Sequence, residues 1–284
     1  MVFVTGGSGF IGKYVVRRLE GKKALVLVRD KANYQQQGDE TVLEGSLQNM
    51  ADWKSKMGEY PVDACIHLAW EGIPDYSYEM SERNLEYGLD ILRLCREFQI
   101  RKLVIAGSCW EYGNPHGAVS VEAPIGYETP FQAAKNSLRM MAHAFCRENG
   151  IQLHWLRLFY VYGPGQREGS LIPYMLRCFR AGKQPELKGA YNQNDFVYVG
   201  DVAEAIVMAV KQKNMPELLN IGSGKSVQVL ALAEMVATAL DFGFHAEAYQ
   251  QTSDAVNYWA DMTGGVWRAK YNLRDGVQDM INHV

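Results

Sequence analysis

The run Thr5-Gly6-Gly7-Ser8-Gly9-Phe10-Ile11-Gly12 constrains this chain more than any other feature. It follows the apolar stretch Met1–Thr5, which reads as a strand. It opens Phe10–Leu19, which reads as a helix with Ile11, Val15, Val16 and Leu19 on one face. Glycines in that setting meet three demands: a tight turn, close approach of backbone to a pyrophosphate, and close packing of helix on strand. The free amides and positive dipole end of the helix then suit phosphate. The expectation is a dinucleotide held by Gly6, Gly9, Phe10, Ile11 and Gly12. A plain connecting loop is the competing reading, and the flanking strand and helix argue against it.

Further along, Ala24–Val28, Ala64–Ala69, Lys102–Ala106 and Gln152–Leu158 read as buried strands. Glu82–Glu97 and Phe131–Glu148 read as helices, the second stopping at Asn149-Gly150. Such alternation implies an α/β fold, a Rossmann-type doubly wound parallel sheet. After Gly163-Pro164-Gly165 the pattern loosens. Leu171–Ala181, Asp201–Lys211 and Val229–Leu240 read as helices, Asp195–Val199 and Leu218–Ile221 as strands. The expected organisation is a dinucleotide-binding domain over 1–165 and a smaller C-terminal α/β substrate lobe over 166–284. With no repeats or long linkers, the two are expected to interleave.

A formal net charge of -3 provides no overall positive field for nucleic acid or an anionic membrane. No apolar run is long enough to span a bilayer. Five cysteines, odd in number and outside C-x-x-C pairs, argue against a disulfide framework and a metal site. With no leader before the first strand, the cytoplasm is the expected location. The second strand ends Val28-Arg29-Asp30. An acid at that end suits the ribose of NAD, a cation the 2′-phosphate of NADP. Arg29 comes first, which favours NADP over NAD; a solvated surface charge is the alternative.

Several ordered segments go beyond the glycine turn, whose Gly6, Gly9 and Gly12 fit T-G-x-x-G-x-x-G. They are His67-Leu68-Ala69, Asn84, Gly107-Ser108-Cys109-Trp110-Glu111-Tyr112-Gly113, and Arg157 through Gly165. Asp195 through Val202 and Asn220-Ile221-Gly222-Ser223-Gly224 complete the set. Together they resemble the extended short-chain dehydrogenase/reductase family, in particular its nucleotide-sugar epimerases, dehydratases and ketoreductases, over nearly the whole chain. The resemblance implies a Ser/Thr, a Tyr and a Lys around the nicotinamide, the last two spaced Y-x-x-x-K on one helix face. The lysine bonds the ribose and makes the phenol more acidic. The phenol moves the proton as hydride passes. Ser108 takes the position of the orienting hydroxyl, with a strand-end cap as its alternative. Lys135 takes that of the lysine.

Phe131 stands where the tyrosine belongs. Three explanations stay open: an engineered variant, a substitute hydroxyl such as Tyr127 or Tyr160, or a cofactor-binding relative without turnover. Ser46 and Leu47 replace the family's pattern beside the adenine, and Leu68 and Ala69 lie beside the cofactor. Cys109 and Trp110 replace the Asp-Glu pair of 4,6-dehydratases, so dehydration is not expected. Glu111, one place late, reads as an outward-facing solvated acid.

The implied substrate is a nucleoside-diphosphate sugar, with Ser170–Pro173 near its base. Two usual arginines are replaced, by Asn194 before Asp195 and by Ser253 before Asp254. Arg167 and Arg177 remain to meet the diphosphate, and Arg180 reads as surface charge. Trp70 and Trp110, each following a strand, and Tyr160 are candidate sugar contacts. Tyr76, Tyr112 and Tyr162 add to the aromatic density, which core packing explains equally well. The expected activity is NAD(P)-dependent 4-keto reduction or 4-epimerisation; a regulatory NAD(P)-binding protein is the alternative. The helices Glu82–Glu97 and Phe131–Glu148 resemble those through which family members pair, so a homodimer is expected.

Overall fold

A computed structural model describes residues 1–19, 21, 23–250 and 255–283, so Ser253 and Asp254 lie outside the described residues. The first part of the chain runs β1 (Val2–Thr5), α1 (Phe10–Arg18), β2 (Ala24–Val28), β3 (Thr41–Glu44) and α2 (Ala51–Met57). It continues with β4 (Ala64–His67), α3 (Tyr78–Glu97), β5 (Lys102–Ser108), β6 (His116–Val119), α4 (Pro130–Glu148) and β7 (Gln152–Leu158). There follow β8 (Tyr160–Tyr162), α5 (Leu171–Arg180), β9 (Gln193–Asn194), β10 (Phe196–Tyr198) and α6 (Val199–Lys211). The remainder is β11 (Leu218–Ile221), β12 (Val227–Gln228), α7 (Val229–Ala239), β13 (Asn257–Ala260) and α8 (Leu273–His283).

Seven strands form one sheet in the order β11-β7-β5-β4-β1-β2-β3. Its β1–β2, β2–β3, β1–β4 and β4–β5 pairs are all parallel. Every residue of β1, β2 and β4 is buried, which is why these strands read as unbroken apolar runs. Winding proceeds outward from β1 in both directions, the doubly wound arrangement expected from the alternation. The direction reverses between β1 and β4, the switch point beside which open α/β sheets bind ligands at the carboxyl ends of their strands.

Two compact units divide the chain. The first comprises Met1–Gly113, Pro124–Arg157 and Ala203–Leu219, the second Asn114–Ala123, Leu158–Val202 and Asn220–Val284. The chain thus passes between the units several times. The first unit's core gathers Phe3, Leu25, Trp53, Ile91, Leu138 and Trp155 around the sheet. Gly88 makes the packing of α3 on α4 possible, since a Cβ there would stand 2.4 Å from a Leu138 methyl.

In the second unit a four-stranded sheet runs β12-β9-β13-β6. Directly after β9 comes the buried Asp195, whose carboxylate accepts from the Ser223 amide and hydroxyl (2.6 Å each) and the Gly224 and Ala260 amides (3.0 Å each). Four donors satisfy a group that burial alone would make costly. No helix is long and apolar enough to cross a membrane among the described residues.

Candidate functional site

The turn after β1 is closed by the Gly9 amide, which donates to the Gly6 carbonyl at 3.0 Å. Gly6 has φ +74°, and a Cβ there would stand 2.7 Å from the Ala69 amide nitrogen. At Gly12 a Cβ would meet the Gly6 carbonyl oxygen at 2.0 Å. Both positions therefore exclude any side chain. Gly9 caps α1 without a side-chain bond, and the first turn carries no acid. The amides of Phe10 and Ile11 thus begin a helix whose end carries no side-chain cap and no acid against an anion. Leu68 and Ala69, directly after β4, form the opposite wall against Gly6. Under that wall Thr5 Oγ1 meets His67 Nδ1 at 2.7 Å. Burial, with the Lys135 charge adding, pushes His67 down to about 3, so its imidazole is neutral.

At the end of β2 Arg29 is 79% exposed, 3.7 Å from the Glu71 carboxylate. Asp30 is occupied by its own turn, accepting from the Ala32 amide at 2.9 Å and the Asn33 amide at 3.1 Å. Ser46 and Leu47 follow β3; Leu47 is buried, and the Ser46 carbonyl accepts from the Trp53 indole at 2.8 Å.

On α4, Thr129 caps the helix and Gln132 completes a capping box, setting the first turn that carries Phe131. Phe131 is buried, ringed by Trp70, Tyr76 and Trp110 at centroid distances of 5.3, 5.2 and 5.7 Å. All three contacts are edge-to-face, the geometry favoured by aromatic quadrupoles. One turn on, the Lys135 ammonium donates to the Ala106 carbonyl at 2.8 Å and lies 3.9 Å from the Trp70 ring centre. Burial pushes Lys135 down to about 8, against the opposing pull of Glu111. The structure thus brings Ser108's strand end, Trp70, Trp110, Phe131 and Lys135 into the first unit with the glycine turn. Tyr127, one candidate for a substitute hydroxyl, is 79% exposed.

Ser108 is a cap: its hydroxyl oxygen accepts from the Trp110 amide at 3.2 Å. Its hydroxyl proton is a donor, so the cap leaves the orienting role open. Glu111 corrects the sequence reading. It is 0% exposed rather than outward-facing. Its carboxylate accepts from the Ser108 amide (2.8 Å), the Trp155 indole (3.0 Å) and Arg157 Nε (2.7 Å). The acid is buried because β7, on the next strand of the sheet, supplies two donors to neutralise it. The Arg157 guanidinium also lies 4.2 Å from the Tyr112 ring centre. The spacing Ser108-x-x-Glu111 is a capping box and was the available signal. Asn84 fixes the loop after β4, accepting from the Glu71 amide (2.7 Å) and donating to the Glu71 carbonyl (3.1 Å).

The second unit holds the other candidates. Tyr160 packs on Phe196 at 6.0 Å, and its amide donates to the Asp195 carbonyl. Arg167 is exposed. Arg177 Nη1 reaches the Glu168 carbonyl at 3.4 Å, and its guanidinium lies 5.6 Å from the Tyr174 ring centre. Arg180, exposed as expected, donates to the Ile281 carbonyl at 2.9 Å.

Comparison with known proteins matches residues 2–222 to the NAD dependent epimerase/dehydratase family. A protein of Methanocaldococcus jannaschii named "Putative UDP-glucose 4-epimerase" is 29% identical over 99% of this chain and 97% of its own. The crystal structure of UDP-glucose 4-epimerase with UDP-glucose from Thermotoga maritima superposes with a TM-score of 0.86. It is 22% identical and covers 99% of this chain and 97% of that one. The dTDP-glucose 4,6-dehydratase of Bacillus anthracis in complex with NAD gives 0.85 at 24% identity, covering 99% and 95%.

Proposed function

The chain belongs to the NAD dependent epimerase/dehydratase family, and from that premise we propose that it is an NAD(P)-dependent nucleotide-sugar enzyme, a 4-ketoreductase or 4-epimerase. The observation that carries the reading is the cradle after β1. Side chains are excluded at Gly6 and Gly12, which lets the turn close tightly against α1 and the Leu68–Ala69 wall, and α1 begins with no side-chain cap and no acid in its first turn. A pyrophosphate fits that donor set: Gly9, Phe10, Ile11 and Gly12 offer backbone, and no acid opposes it.

When bound, the dinucleotide supplies hydride transfer. The chain's own residues hold and orient the reactants. Leu68 and Ala69 form the wall, Ser46 and Leu47 border the adenine, and Lys135 bonds the nicotinamide ribose. Ser108 donates a hydrogen bond from its hydroxyl to the reacting oxygen and so orients it. Trp70 and Trp110 offer ring faces to the sugar. Tyr160, Arg167 and Arg177 are assigned to the nucleotide sugar. NADP is favoured over NAD, because Asp30 is spent on its own turn while Arg29 is largely exposed. The enzyme works as a homodimer through α3 and α4, in the cytoplasm, whose reducing conditions suit five free cysteines.

Calorimetry with NADP+ and NAD+ tests the reading. Both are expected to bind, NADP+ more tightly, and Arg29→Ala is expected to weaken NADP+ alone. Tighter NAD+ binding untouched by Arg29→Ala removes the NADP preference. No binding of either at millimolar concentration removes the enzyme reading altogether. Phe131 favours a second reading, a protein that binds the dinucleotide without turning it over; incubation with NADPH and a dTDP-4-keto-6-deoxyhexose, or with UDP-glucose and NAD+, separates the two.

A further inference from the structure

We propose that the Tyr76 hydroxyl performs the proton transfer for which Phe131 has no group, an inference that rests on the nucleotide-sugar reading above. Tyr76 is the phenol whose ring packs directly on Phe131 among the described residues, edge-on at 5.2 Å. The same ring lies 5.1 Å from Trp110, which follows the Ser108 cap. A phenol oxygen projects beyond its ring. The hydroxyl is borne by a ring that packs on both Phe131 and Trp110, in the cluster that a tyrosine at 131 would share. Lys135 donates to the Ala106 carbonyl under the Trp70 face, His67 is held neutral and buried against Thr5, and Ser108 is assigned the orienting hydrogen bond.

A group that moves protons must also be held in place. Tyr76 lies in a loop fastened at both ends. Asn84 grips both backbone groups of Glu71, and the Asp75 amide donates to the Gly72 carbonyl at 2.7 Å. The Ser77 amide donates to the Asp75 carboxylate at 2.9 Å, and the Ser77 hydroxyl caps α3. Between these bonds Tyr76 is half-buried, against the aromatic cluster on one side and reachable by water on the other.

In the reductive direction the O–H bond of Tyr76 breaks and its proton goes to the ketone oxygen. The carbonyl carbon receives hydride from the reduced dinucleotide, forming the new C–H bond. The phenolate left behind takes a proton from water. Oxidation of the alcohol runs the same steps backward.

The test compares wild type, Tyr76→Phe, Phe131→Tyr and the double variant, with NADPH and a dTDP-4-keto-6-deoxyhexose or with UDP-glucose and NAD+ as probes. General acid–base groups contribute about 10²–10⁴-fold, so Tyr76→Phe is expected to lower kcat at least about 100-fold. Its dinucleotide Kd and melting temperature are expected to stay at wild-type values. Adding Phe131→Tyr to Tyr76→Phe is expected to restore turnover, because it returns a phenol to the helix position four residues before Lys135. A structure of the ternary complex is expected to place Tyr76 Oη within hydrogen-bond reach of the reacting sugar oxygen. Wild-type turnover retained by Tyr76→Phe, or lost instead in Tyr127→Phe, overturns the assignment and leaves the enzyme reading intact. A wild type that binds dinucleotide but turns over none of these probes also overturns it. Failure to bind dinucleotide defeats the functional reading itself.

Discussion

At the scale of single residues, two buried charges govern what the site can tolerate. Glu111 and Arg157 pair with side chains 0% and 1% exposed. Removing one partner of such a pair strands the other charge, at about 3–5 kcal/mol. Glu111→Gln is therefore expected to lose that much in urea unfolding, and Glu111→Gln with Arg157→Met to recover part of it. Lys135 answers to pH. Its value falls from 10.5 to about 8 through burial, so between those values the unfolded chain binds more protons than the folded one. Folding stability is expected to rise with pH across that window and to carry its full penalty below about 8. Lys135→Met is expected to be the more stable protein at pH 7, by at most about 3 kcal/mol. Its advantage should vanish near pH 10.5 in unfolding titrations; a constant advantage would contradict the assignment. Lys135 was singled out by resemblance, four residues after Phe131; for Glu111 the capping-box spacing was the one local signal, and it did not reveal the partners that bury it. Its partners Trp155 and Arg157 are 44 and 46 residues away, and only the folded sheet brings them beside it.

At the scale of elements, the glycine turn is the part whose sequence and geometry agree most closely. Gly12→Ala drives a methyl onto the Gly6 carbonyl oxygen and to 2.7 Å from Gly7 Cα, both backbone atoms that cannot swing away. The expected outcome is a lowered melting temperature and loss of dinucleotide binding in calorimetry; normal binding would show that the turn is not the cradle. The strands β1 and β2 were readable because burial on both faces leaves nearly continuous apolar runs. Helix α3 begins at Tyr78, a turn earlier than Glu82, because Ser77 caps it there. Neither β3 nor α2 was read. β3 offers two apolar residues and leans on β2 for its register. α2 has seven residues, so its buried Trp53 and Met57 make one apolar pair rather than a repeating stripe. β13 was missed for another reason: its partner β6 lies about 140 residues earlier, beyond the reach of any local pattern.

At the scale of the whole molecule, doubly wound order followed directly from alternating strands and helices, while the points at which the chain passes between units have no local signal. A chain that returns to the first unit at Ala203 after Val202 leaves no compositional seam there. The proposed homodimer has a visible candidate surface: Met140 and Met141 on α4 are 58% and 54% exposed. Sedimentation is expected to give twice the mass of one chain, and Met140→Lys with Met141→Lys to halve it; a monomeric wild type removes the pairing. The ring of aromatics about Phe131 has an optical consequence. Two of the six tryptophans, Trp70 and Trp110, stand in that cluster, Trp70 with an ammonium against its face. Their ultraviolet emission overlaps the absorption of a reduced nicotinamide. A reduced dinucleotide settling beside Lys135 would therefore dim them by energy transfer, and the pocket would announce its own filling in a fluorimeter without any added label.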